Sequence, residues 1–86
     1  MTDAELLQKA SNNASNLLGL DQDKISEHLT VVRIYLALNQ LHGGDENLMR
    51  HWVATHNNHL GYCPVVGIEG NNADVVLSYL ESMLFL

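Results

Sequence analysis

The chain has 86 residues, 47% hydrophobic and 16% charged, and its four basic and ten acidic side chains give a formal charge of −6. That length holds one domain with one modest core, the apolar content excludes a disordered chain, and the negative balance repels a phosphate backbone. No apolar run approaches the roughly 20 residues that span a bilayer, no basic start leads into a secretory apolar segment, and one cysteine cannot close an internal disulfide; a cytoplasmic protein with Cys63 as a free thiol is expected.

The first element opens at "TDAE", where Thr2 can cap a helix and Glu5 can reach back as in a capping box. Leu6, Leu7, Ala10, Ala14, Leu17 and Leu18 follow at helical spacing, and Gly19 supplies the left-handed residue that stops it, so a helix is predicted over about residues 3–18. "LDQDKISEHL" restarts with Asp21 as cap and with Ile25 and Leu29 four apart, predicting a short second helix. In "TVVRIYLALNQLHGG" one face carries Val31, Ile34, Tyr35, Leu38 and Leu41 and another carries Val32 and Leu36. A helix so apolar on more than one side is buried centrally or covered twice. Gly43 and Gly44 end it.

"DENLMRHWVATH" begins a fourth helix, with Asp45 as cap and Leu48, Met49, Trp52 and Val53 expected inward. After a polar loop, Pro64 suits a first helical turn, but Gly67 and Gly70 leave room only for a short piece. "NNADVVLSYLESMLFL" is the last helix, capped by Asn71 or Asn72, with Val75, Val76, Tyr79, Leu80 and Met83 at helical spacing. No segment alternates as a strand does. The expected class is all-α, a small single-domain bundle of about five helices.

Chemistry-bearing residues concentrate in "HWVATHNNHLGYCPVVGIEG", residues 51–70. His51, His56, His59 and Cys63 offer the imidazole and thiolate donors that zinc prefers, but their spacing matches no standard structural site, and polar loop residues bonded to backbone or water are the preferred reading. Cys63 beside a histidine also has the elements of a nucleophile and base, without an orienting third group or an oxyanion pocket. "GIEG" lacks the length and the lysine of a phosphate-cradling loop. Neither catalysis, a metal nor a cofactor is expected. Trp52 is expected in the core, Asn57 or Asn58 satisfies backbone groups at the helix end, and Gly61 provides an unusual backbone angle. The consecutive Leu84, Phe85 and Leu86 are expected to dock on the domain, on a second copy or on a partner.

Trp52, Asn57, Leu60, Gly61 and Pro64, then a glycine-containing break and an apolar helix with Val76 and Leu80, form an order that resembles the toxin-binding domain of the Xre/MbcA/ParS antitoxin family. "VVRIYLALNQLHGGDENLMRHW" is similar to the two helices that precede it there, and the resemblance covers about residues 29–84. It divides the chain into an N-terminal helix-turn-helix-like segment, 1–28, and a toxin-binding helical domain, 29–86, within one compact unit. "LGLDQDKISEHL" is similar to the family's second helix, but Leu29 leads almost directly into the central apolar helix without a separate recognition helix, which argues against DNA binding. Val65, Val66 and Gly67 also stand where acidic and leucine residues often follow the proline.

What the resemblance implies is a non-catalytic module that covers the active site of a cognate toxin, often an NAD-consuming RES-domain enzyme; separately, the apolar faces of the chain lead to a homodimer as the expected state. Its partner-binding residues are expected among Asn57, Leu60, Gly61, Pro64, Tyr79, Met83, Phe85 and Leu86. The alternative is a DNA-binding regulator with a degenerate helix-turn-helix, which needs Lys9, Lys24, Arg33 and Arg50 to form one basic face.

Overall fold

A computed structural model describes residues 2–85. Its elements are α1 (Asp3–Leu18), a 3-10 turn (Gln22–Lys24), α2 (His28–Leu41), α3 (Glu46–Ala54), α4 (Pro64–Glu69) and α5 (Ala73–Leu84). Among the described residues there is no strand beyond the isolated bridge of Asn57 and Tyr62. The fold is thus all-α with five α-helices.

Local chemistry sets most boundaries. Thr2 Oγ1 accepts the Glu5 N–H at 3.2 Å and donates to the Glu5 carboxylate at 3.2 Å, so glutamate closes the cap on the threonine hydroxyl, whereas a full capping box would use the Thr2 N–H. At the other end of α1, Gly19 lies at φ 75° and its N–H reaches Asn16 O, while the Leu20 N–H reaches Ser15 O at 2.7 Å. This paired closure satisfies two of the four orphan carbonyls and turns Leu20 into the core. Asp45 caps α3 by accepting from Asn47 and Leu48 N–H groups. Pro64 opens α4 at its first position, where no N–H is needed.

The second predicted helix is not formed. Asp21 Oδ1 accepts the Asp23 N–H at 3.0 Å, and its own N–H donates to Glu69 Oε2 at 2.8 Å, 48 residues away. These bonds hold a single turn, and Ile25 then takes an extended backbone (φ −88°, ψ 119°) that drops its side chain into the core. Leu29, expected on the same face as Ile25, belongs to α2 and is 57% exposed. Burial of Ile25 outweighs continuation of a helix through four weakly committed residues.

The core runs through Leu18, Val31, Ile34, Leu38, Met49, Val53, Val76 and Leu80, with α2 packed between α1 and α5. The face that α1 buries is rotated from the leucine-rich one: Ser11, Ala14, Ser15 and Leu18 are buried, whereas Leu6 and Ala10 are exposed. Small side chains line this face of α1, and Ser11 Oγ lies 2.8 Å from Nδ1 of His28 on α2. Further large apolar residues lie outside the core, Val66 and Phe85 among them. Leu48 on α3 and Val75 on α5 sit beside arcs centred on Met49–Val53 and Val76–Leu80, and Leu36 and Leu41 on α2 are open to solvent. The expected division at residue 28 falls on the first residue of α2, and Ala14 and Leu18 of α1 share their core with the rest. The Cα radius of gyration, 12.1 Å, matches the ~12 Å of one packed body of this length.

Candidate functional site

The loop between α3 and α4 is built around Asn57. Its N–H donates to Tyr62 O at 3.1 Å, its carbonyl accepts the Gly61 N–H at 2.8 Å, and its side-chain Oδ1 accepts the N–H groups of His59 and Leu60 at 2.9 and 3.0 Å. Gly61 closes the turn at φ 85°, in the region that side chains avoid. One asparagine therefore carries four bonds of a nine-residue connection, and it fixes where His59 and Leu60 stand. Asn57→Ala is expected to lower stability by about 1–2 kcal/mol in urea denaturation and to speed amide exchange at residues 59 and 60, because both N–H groups lose their acceptor.

Against this loop, α5 presents Val75, Ser78, Tyr79 and Ser82, spaced to lie on one helix face, and with His59 and Leu60 they line a shallow groove of about 370 Å³. The Tyr79 ring stacks with His59 at 4.3 Å between centroids and with Trp52 at 6.4 Å, the planes inclined by 15° and 16°. Offset stacks of this kind are worth about 0.5–1.5 kcal/mol beyond burial. They set the Tyr79 ring as one wall of the groove. Ser82 Oγ donates to Tyr79 O at 2.6 Å, which leaves the floor of the groove partly polar.

The residues expected to touch a partner divide by burial. Tyr79 and Leu60 line the groove and are half-buried, and Asn57 and Gly61 shape the loop. Pro64 is fully buried, so it supports the loop from beneath and is corrected from contact to scaffold. Met83 packs half-buried against the core and Leu84 does likewise, while Phe85 is 80% exposed, so this stretch does not dock as a unit on its own domain. Leu86 lies outside the described residues. Trp52 also packs against the core, as expected. Sequence reasoning passed over Ser78 and Ser82, although their spacing from Val75 and Tyr79 places all four on one face. The sequence marks His59 as a polar loop residue or a metal donor, not as a stacking partner. Nothing local marks its pairing with Tyr79, 20 positions later.

Among the described residues, no three His, Cys, Asp or Glu side chains gather as a metal site would require, so His51, His56, His59 and Cys63 do not converge. His51 instead lies beside Thr55, and Cys63 forms the N-terminal boundary of α4 without a side-chain capping bond. Three of the four cations are held by different parts of the chain. Lys24 lies 4.0 Å from Glu69, Arg33 meets Glu81 at 2.7 Å, and Arg50 Nε donates to Leu17 O at 2.7 Å near the end of α1. That arrangement works against a shared basic face. No described helix is long and apolar enough to cross a membrane. In comparisons with known proteins, no family model matches the chain and no curated protein matches it.

Proposed function

We propose that the chain is a non-catalytic protein-binding module of the antitoxin type, which acts by covering a partner's surface with the groove between the Asn57 loop and α5. The observation that carries this reading is the stacked Tyr79 wall: an aromatic flanked by apolar Leu60 and Val75 and by exposed hydroxyls, which is the composition of an interface anchor. The order Trp52, Asn57, Leu60, Gly61, Pro64 supports it, because each of these residues serves the shape of that loop or its support. The exposed Phe85 adds a second large side chain near the end of the same helix. The expected partner is a toxin of the RES class carrying a basic rim, drawn to a body of charge −6.

The test is co-expression with the product of the neighbouring reading frame. That product should arrest growth and this chain should restore it. Ser78→Arg, placed at an exposed position to fill the groove, is expected to abolish the rescue while changing stability by less than about 0.5 kcal/mol. A neighbour that is harmless, or full rescue by the arginine variant, removes the reading.

A further inference from the structure

The groove between the Asn57 loop and α5 is lined by ring, aliphatic and hydroxyl groups, and no carboxylate, lysine or arginine enters it. Its polar atoms are nevertheless biased toward one kind of visitor. Ser82 has a single hydroxyl proton and donates it to Tyr79 O at 2.6 Å, so its exposed Oγ keeps only lone pairs for an incoming group. Ser78, one turn earlier and also exposed, brings a second hydroxyl that can turn to accept. Asp74 stands one turn earlier again, so Asp74, Ser78 and Ser82 make a row spaced by about 6 Å along α5. Asp74 is exposed and makes no ion pair among the described residues. Three of the chain's four cations are engaged elsewhere, Lys24 with Glu69, Arg33 with Glu81 and Arg50 with the Leu17 carbonyl. Beside the row, the Tyr79 and exposed His59 rings lie nearly parallel, 4.3 Å apart.

We propose that this groove receives an arginine side chain of the partner protein, its guanidinium laid against the ring surface and donating to the Ser78 and Ser82 hydroxyls, with Asp74 as counter-charge. The inference rests on the groove being the partner surface. Three features select that occupant. A guanidinium is all donor, five N–H groups and no acceptor, which matches hydroxyl oxygens that offer lone pairs. It is planar and stacks on aromatic faces, whereas an ammonium is a compact, strongly hydrated point charge that gains less from a shallow ring-lined groove. Its charge is drawn by a body of −6 and answered locally by Asp74. The other side-chain classes fit worse. An apolar side chain would cover the Ser82 oxygen without supplying a proton, which leaves a desolvated acceptor unpaired. A carboxylate would meet Asp74 and the net negative charge. The apolar stem of the arginine has Leu60 and Val75 to lie along.

Titration of the full, isotope-labelled chain with capped Gly-Arg-Gly, followed by amide chemical shifts, tests it. Saturable shifts are expected at His59, Val75, Ser78, Tyr79 and Ser82, with a Kd on the order of 1–10 mM, the range open to one anchored side chain. The same peptide with citrulline, which keeps the shape and loses the charge, should bind at least about 5-fold more weakly, as should Gly-Leu-Gly. Asp74→Asn should weaken the arginine peptide by about 3-fold with unchanged circular dichroism. The lysine peptide should fall between arginine and citrulline. No saturable shift up to about 50 mM, equal binding of the citrulline or leucine peptide, or indifference to Asp74→Asn overturns the proposal. The two readings fail separately. A silent titration with growth rescue intact removes the arginine and leaves the binding module, and arginine binding beside a harmless neighbouring product supports the arginine site and removes the antitoxin.

Discussion

Leu38→Ala is expected to destabilise the chain by about 2–5 kcal/mol, the cost of emptying a fully buried leucine site. The side chain sits on α2 between α1 and α5, where both neighbours are already committed to other contacts and can collapse only in part. A domain of this length has in total roughly 4–13 kcal/mol of stability, so the variant is left marginal. Its thermal midpoint should fall by roughly 8–40 °C, because each kcal/mol is worth about 4–8 °C at this size. The informative comparison is Leu36→Ala, two residues away on the same helix and 58% exposed. In dilute solution that change should cost less than about 0.5 kcal/mol. Equal losses for the two would mean that α2 presents a different face to the core.

The second large effect is expected at Gly67, and here extra volume does the damage. A Cβ on this residue would stand 2.7 Å from Tyr62 Cε2 and 3.2 Å from Val76 Cγ2. The first separation is inside van der Waals contact, so the tyrosine ring must swing away; Val76 is buried on α5 and has little room to give. Gly67→Val should cost about 3 kcal/mol. Gly67→Ala should cost less, since alanine recovers about 1 kcal/mol of helix preference over glycine. The displacement has a functional edge, because the Tyr62 carbonyl accepts the Asn57 N–H that closes the loop. Both variants are therefore expected to accelerate amide exchange at Asn57 as well as to lower the denaturation midpoint. Unchanged exchange with lowered stability would separate the core of α4 from the groove.

The glycine also shows why the fourth helix can exist at all. Six residues are too few to hold a helix by backbone bonds alone. The segment is secured by Pro64 beneath the loop, by Ile68 in the core and by the Tyr62 ring lying against Gly67. Val65 and Gly67, which follow the proline, thus have a packing role in this chain, whereas Val66 between them is exposed.

Sequence by itself determined the class and most of the ends of the helices that form, but not the loss of the expected second helix to a single 3-10 turn. Thr2, Gly19, Asp45 and Pro64 act on backbone groups within a few positions of themselves, and the patterns around Ile34, Met49 and Val76 name a buried side for each helix. Interactions that close within one helical turn are written in neighbouring letters. Tertiary structure alone decided the rest. Glu69 binds the Asp21 N–H and Arg33 binds Glu81 across 48 positions each, Ile25 leaves the helical path to reach the core, Ser11 and Ser15 displace larger residues from the α1 contact, and His59 finds Tyr79 to wall the groove. In each case the choice among locally acceptable conformations is made by a surface from elsewhere in the chain, because burial and charge pairing depend on distance in space and not on distance along the sequence.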